Sequence, residues 1–338
     1  VSQFRKPPLE AVYHSPMNRS LRMILLLAIV SLLPFGCKRE QATGPVAITL
    51  DWKPEPEFGG FYQADLSGAF QKRGLDVALK SAGAGAPTWQ LVARKETEFA
   101  TTAADQVLIA RSKGADVVAV FAVYQTFPQG IMAHKARGFQ SIEDVFTHPG
   151  ILAAENDTWL KYLLAKYPQP KVTITSYSGG IAAFLAKPDY SQQCFVTSEP
   201  LLAARQGGDP QTFLIADAGY NPYTTVLITH GDTIRQHPER VKAIVEACRE
   251  GWRQYLDDPS AANAAMGKLN TEMDTETFKR AAEVQKLLID KPGVPLGNMT
   301  ADRWHQLGQQ LVQLKVIDAA PPADQCFVNV DTLPGKPG

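Results

Sequence analysis

Glu55 and Glu57, two residues apart in Leu50-Asp51-Trp52-Lys53-Pro54-Glu55-Pro56-Glu57-Phe58-Gly59-Gly60-Phe61-Tyr62, are of the right type to act as a paired acid and base. Prolines on both sides lock the loop that carries them, and carboxylates in such loops usually face water. Both are therefore expected at the surface, without a catalytic role. Six histidines (His14, His134, His148, His230, His237 and His305) are scattered, none with a second ligand at a metal-binding interval. No serine-nucleophile elbow, phosphate-cradling glycine loop or paired-histidine zinc motif is present. Cys194 and Cys248 read as small buried hydrophobes, and with Cys326 they form no CxxC pair. One disulfide among the three is compatible with a compartment outside the cytoplasm, but the spacing assigns no partners. The chemistry these residues support is recognition, with no catalytic residue, metal or cofactor expected.

Residues suited to recognition sit at junctions between segments. Trp52, Phe58, Gly59 and Tyr62 belong to a stiff aromatic loop between a strand and a helix, where open α/β sheets usually receive ligands. The Gly59-Gly60 pair would let the backbone pass close to a bound molecule. The bland alternative is a surface loop whose rings pack on the sheet edge. Thr101, Thr102, Asp105 and Gln106 lie at a strand end and helix start, as do Glu155, Asn156, Asp157 and Thr158. Free amides and short polar side chains there can hold a polar edge, although each group alone also reads as a helix cap. Glu199 follows a buried strand and is expected to face a cleft. Tyr220, Asn221 and Tyr223 fall where the chain returns between segments. Trp52, Tyr62, Tyr220 and Tyr223 together suggest stacking on a flat ring.

These residues need a scaffold, and the hydrophobic pattern describes one. At 338 residues the chain suits two domains. Strands at Val46 to Leu50, Leu75 to Lys80, Glu98 to Thr102 and Val117 to Val123 alternate with helical segments. That alternation predicts largely parallel sheets covered on both faces. A second α/β set follows, and from Pro238 the chain turns helical. Val241, Ile244, Val245, Cys248, Trp252 and Tyr255 recur at helical spacing and are expected to form a core face. The expected organisation is lobe 1 over 46–129, lobe 2 over 130–222, lobe 1 again over 223–320, and a loose tail over 321–338. Lys+Arg and Asp+Glu balance at 34 each, so no basic field favours nucleic acid.

The first 37 residues look like an address. Arg19 and Arg22 precede an apolar run from Met23 to Leu33, too short for a comfortable membrane span but suited to a secretion signal. Residues 1–16 have no signal character, so the expected start is Met17 or Met23. Gly36-Cys37 before Lys38-Arg39-Glu40 resembles a lipoprotein processing site, although Pro34 occupies the position where a leucine is usual. Cys37 is the expected lipidation site, and 38–45 the tether to the fold.

Leu50-Asp51-Trp52 with Pro54, Tyr62 with Ala64, and Gly74-Leu75-Asp76 are similar to the opening of the thiamine-pyrimidine family within the type 2 periplasmic binding proteins. The likeness continues through Ala110-Arg111 with Lys113-Gly114, Glu199-Pro200-Leu201 and Asp217 to Tyr223. It reaches Pro238 to Val241 and Gly251-Trp252 with Tyr255-Leu256 and Asp258-Pro259, covering most of Val46 to Ile317. The family includes solute-binding proteins of transporters and the self-sacrificing pyrimidine synthase of eukaryotic thiamine biosynthesis. The resemblance implies two α/β lobes, each a mostly parallel sheet flanked by helices, that close over a ligand. C-terminal helices return to the first lobe. It further implies a solute receptor for an ABC importer, taking a small heteroaromatic molecule such as a thiamine-precursor pyrimidine. Riboflavin and nitrate- or sulfonate-type solutes are the alternatives. Trp52 and Tyr62 would supply a ring wall, and Glu199 with Asn156 or Asp157 would read polar edges. Phe58 stands where pyrimidine-binding relatives often carry histidine. The synthase resembles this chain but uses a lysine that holds pyridoxal phosphate and a sacrificed histidine, where this chain has Thr102 and Gln106. Tyr220 to Thr224 replaces its run of cysteines, so no enzyme activity is expected. Expected partners are the ligand, a membrane permease and the membrane through the lipid. The protein is expected outside the cytoplasm, as a monomer.

Overall fold

The computed structural model describes residues 45–83 and 86–333, so the signal segment, Cys37 and nearly all of the tether lie outside it. Apolar alternation in the opening stretch gives β1 (Val46–Leu50), parallel to β2 (Val77–Ser81) and β3 (Phe99–Thr102). β4 (Val117–Tyr124) is hydrophobic along its length and wholly buried. Between β3 and β4 lies β10 (Thr224–His230), antiparallel to both, giving the order β2-β1-β3-β10-β4. The second sheet holds β5 (Gln129–His134), β6 (Gly150–Ala153), β7 (Val172–Thr175), β8 (Tyr190–Phe195) and β9 (Pro210–Leu214). Its order is β7-β6-β8-β5-β9, with β5 antiparallel to both neighbours.

Each sheet therefore has four strands running one way and one running against them. In both sheets the odd strand is the one on which the chain enters from the other lobe. A chain arriving at the carboxyl end of a parallel sheet has to start its new strand there, which reverses that strand's direction. The crossings lie between Tyr124 and Gln129 and between Ala218 and Thr224, beside the 129/130 and 222/223 breaks read from the sequence.

Lobe 1 carries α1 (Gly59–Leu66), α2 (Thr88–Ala93) and α3 (Ala104–Ser112); lobe 2 carries α4 (Ile142–Thr147), α5 (Thr158–Lys166), α6 (Ala182–Ala186) and α7 (Glu199–Arg205). Then follow α8 (Gly231–Gln236), α9 (Pro238–Asp257), α10 (Ser260–Leu269), α11 (Thr275–Ile289), α12 (Ala301–Gln313) and α13 (Ala323–Cys326). The stripe from Val241 to Tyr255 on α9 is buried, as its spacing predicts. It packs on α1, and glycines make the approach close. A Cβ on Gly60 would lie 2.1 Å from the Trp252 ring, and one on Gly59 2.1 Å from that of Tyr255. The Gly59-Gly60 pair thus admits α9, in place of the ligand expected from the sequence.

Of the tail expected to be loose over 321–338, the described part, 321–333, is packed. Cys326 and Val330 are buried, and the Phe327 ring stacks on Trp304 with centroids 5.8 Å apart. The Val328 amide donates to the Ala119 carbonyl at 2.9 Å, and Ala122 donates to Gly297 at 2.9 Å. Both bonds lie along the outer edge of β4. Cys194, Cys248 and Cys326 are buried free thiols. No helix among the described residues is long and apolar enough to cross a membrane.

The α1–α9 contact yields a paired test. A Cβ on Gly251 would sit 2.3 Å from the Gly60 carbonyl oxygen, whereas one on Gly267 meets only the Phe278 ring at 3.7 Å. Gly251→Ala is expected to destabilise by roughly 2 kcal/mol or more through overpacking. Gly267→Ala should be neutral or stabilising by up to about 1 kcal/mol, because alanine is the better helix former. Urea denaturation of both variants checks this, and equal midpoints would exclude the close approach.

Candidate functional site

A cleft of about 710 Å³ opens between the lobes, where the carboxyl ends of the parallel strands of both sheets converge. Lobe 1 supplies Asp51, Trp52, Lys53, Glu55 and Glu57 after β1, and Asp105 and Gln106 at the start of α3. Lobe 2 supplies Glu155 and Asp157 after β6, Tyr177 after β7, Phe195 at the end of β8, and Glu199 on α7. The crossings add Phe127, Gln129, Thr224 and Thr225.

The loop after β1 is held from behind. Pro54 and Pro56 have no amide to satisfy, and their carbonyls accept from buried side chains of the C-terminal region. Asn270 Nδ2 donates to the Pro54 carbonyl at 3.1 Å, and Gln285 Nε2 to that of Pro56 at 2.9 Å. Gln285 is itself fixed by Tyr124, whose hydroxyl donates to its Oε1 at 2.6 Å. With the two proline carbonyls tied inward, Glu55, in extended backbone, and Glu57, in the single 3-10 turn Pro56–Phe58 that follows, both line the cleft. Their expected exposure to solvent is therefore corrected: Glu55 is 7% exposed and Glu57 half-buried.

Eight carboxylates line this cleft against one ammonium, Lys53. Lys53 pairs with Glu272 and lies 3.9 Å from Glu55. Burial raises Glu55 to about 7, offset in part by Lys53, with Glu199 adding to the rise. Glu57 is pushed well above the usual carboxylate range by burial and then by Glu55, Asp51 and Glu199. Burial also raises Asp51 and Glu199. Glu199 accepts from the Phe195 amide at 2.8 Å and the Tyr177 hydroxyl at 3.1 Å. Asp105 is raised to about 6, first by burial and then by Asp157 across the cleft.

Of the residues singled out from the sequence for recognition, Trp52, Asp105, Gln106, Glu155, Asp157 and Glu199 line the cleft. Trp52 is 38% exposed there. Two others stand directly behind lining carboxylates. The Thr101 hydroxyl accepts from the Asp51 amide at 3.0 Å and donates to the Asp51 carboxylate. The buried Tyr220 hydroxyl donates to Asp105 at 3.0 Å. Asp157 also caps α5 by accepting from the Thr158 amide at 2.7 Å. Asn156 is exposed beside it. Thr102 is buried within β3, Phe58 and Gly59 are buried under the C-terminal helices, and Tyr62 packs on the lobe 1 core. Asn221 accepts from the Phe127 amide at 2.8 Å, and the Tyr223 ring lies 3.7 Å from the Arg303 guanidinium, so both brace the crossings.

The sequence reading missed the rings of Phe127, Trp159, Tyr177 and Phe195, which share the cleft with Trp52. It also missed Thr224 and Thr225. The Thr224 hydroxyl is buried in the cleft wall without a partner. Thr225 has φ +50°, a left-handed conformation that a β-branched residue rarely adopts and that marks stored strain at the site. The crossing prolines and the glycine of Ala218-Gly219-Tyr220 were the available signals, but they report a turn and not which side chain faces inward.

Among the described residues, Asp116, His230 and Asp232 form the one grouping compatible with a metal ion. Its carboxylates are already matched: Asp116 pairs with Arg235 at 2.7 Å and Arg111 at 3.1 Å, and Asp232 with Lys95 at 2.8 Å. The group reads as a salt-bridge cluster on lobe 1.

Known proteins share this architecture. The chain is 25% identical over 311 residues to a formylaminopyrimidine-binding protein of Halalkalibacterium halodurans, covering 86% of this chain and 92% of that one. It is 24% identical over 271 residues to the riboflavin-binding protein RibY of Chloroflexus aurantiacus, covering 72% and 76%. The crystal structure of the periplasmic aliphatic sulphonate binding protein SsuA from Escherichia coli superposes with a TM-score of 0.67 at 13% identity, over 87% of this chain and 96% of that one. The family model described as NMT1/THI5 like matches residues 55–262, from the loop after β1 to the start of α10, and the chain belongs to the NMT1/THI5-like family.

Proposed function

We propose that the protein is the solute-capturing component of an ABC importer and that its solute is a small heteroaromatic molecule, a thiamine-precursor pyrimidine. The observation that carries this is the interlobe cleft, whose rings and carboxylates come from both lobes. Its 710 Å³ lies within the usual range for small-molecule sites. Trp52 offers a ring face to a flat solute, and Glu199 and Asp157 read its polar edge from lobe 2. Capture requires affinity and two states that a permease can distinguish; it requires no nucleophile. The formylaminopyrimidine-binding relative supports a pyrimidine. The carboxylate surplus opposes nitrate and sulfonate solutes, which would meet like charge.

Riboflavin is a second reading, favoured by the RibY relative and by a cleft larger than one pyrimidine ring needs. In either case the protein works on the outer side of the membrane, held by a lipid on Cys37 and acting as a monomer beside its permease.

Calorimetric titration with formylaminopyrimidine and with riboflavin separates the two solutes. Trp52→Ala should weaken the bound one by about 10- to 100-fold, the range expected on losing an aromatic contact and its burial. Unchanged affinity would remove Trp52 from the site.

The buried acids also set a pH dependence for the ligand-free protein. Asp51, Glu55, Glu57, Asp105 and Glu199 have folded values above their unfolded ones, so folding is favoured where they are neutral. That contribution is complete below the ordinary carboxylate range and fades as pH rises through about 6 to 7 for Asp105 and Glu55. Urea denaturation should show roughly 2 kcal/mol less stability at pH 8 than at pH 5, and Glu57→Gln should reduce the difference. A flat profile would contradict the burial of these groups.

A further inference from the structure

We infer that the solute is held as a cation, and that its positive charge is the condition for closing the lobes over it. This rests on the receptor reading above and goes beyond it by fixing the charge of the solute. The observations are the arrangement of carboxylates and the fate of the one nearby cation. Glu55 and Glu57 of lobe 1 share the cleft with Glu199 of lobe 2, and Asp105 of lobe 1 with Asp157 of lobe 2. Closing the lobes therefore brings carboxyl groups of the two lobes toward each other as water leaves the site, so that those ionised repel with little screening unless a cation lies between them.

Elsewhere on lobe 1 the protein neutralises its acids itself, as with Asp116 between Arg111 and Arg235. In the cleft it does not. Lys53 is taken by Glu272 and Glu55, and among the described residues no ion pair reaches Glu57, Asp105, Asp157 or Glu199. The missing countercharge is what a bound solute would bring. A second observation points the same way: the Thr224 hydroxyl, in a residue 8% exposed, faces the cleft with no partner of its own. An N–H of the solute can donate to it. A planar ring bearing an ammonium or amidinium group fits the aromatic walls and the acids together.

The relative's name specifies a pyrimidine with a formylated amine, a group that carries no charge. This chain should instead prefer the free amine. The test is calorimetric titration of the full chain with two probes, an aminopyrimidine bearing a primary aminomethyl group and its N-formyl counterpart. The charged probe should bind about 30-fold or more tightly, as expected for an ion pair formed out of water. In the double variant Asp157→Asn/Glu199→Gln that advantage should fall to within about threefold. Equal affinity of the two probes for the wild-type protein, or an undiminished advantage in the variant, would overturn the inference while leaving the receptor reading intact.

If neither probe binds, the pyrimidine reading fails, and X-ray scattering of the ligand-free protein decides the charge question. A smaller radius of gyration for the double variant than for the wild type would support repulsion across the cleft, and an unchanged radius would overturn it. Glu57→Gln, remote from the hydrogen bonds of Glu199, provides the same scattering comparison should the double variant fold poorly.

Discussion

The site depends on how the loop after β1 is fastened to the C-terminal helices. Two proline carbonyls accept from Asn270 and Gln285, and α1 is seated on α9 through glycines that leave no room for a side chain. Because proline fixes φ and has no amide, these contacts are enough to orient the whole loop. Trp52, Glu55 and Glu57 are then presented to the cleft by a backbone with little freedom to relax. The returning helices are thus part of the binding apparatus although none of their regular turns lines it.

Opposing tendencies meet across the cleft. Arg205 pairs with Asp274 at 3.0 Å and Tyr124 meets Phe195 edge to face, both joining lobe 2 to lobe 1. Facing carboxylates push the same lobes apart. The two crossings between the lobes are held by hydrogen bonds of Asn221 and Arg303, with the strained Thr225 beside them.

Much of this was legible in the sequence, and the failures have physical causes. Strand and helix alternation and the buried stripe on α9 follow from local periodicity, and the place of Trp52 beside the cleft follows from its position between a strand and a helix. Strand direction does not, so the reversal of β5 and β10 could only follow from knowing where the chain enters each lobe. Glu55 and Glu57 were expected to face water because composition says nothing of which side of a proline-locked loop is tied down. Thr101 and Tyr220 were chosen for the right neighbourhood, yet each stands behind a carboxylate that does the lining. Trp159, Tyr177 and Phe195 belong to three separate segments and meet only through topology.

The covering of β4 has a further consequence. Its eight residues are hydrophobic and buried and form the margin of the lobe 1 sheet, the kind of strand that recruits a copy of itself when left bare. Gly297 and Val328 occupy its free amides and carbonyls from the same chain. The last described residues therefore act as a selvedge, keeping a newly folded molecule from zipping onto its neighbours.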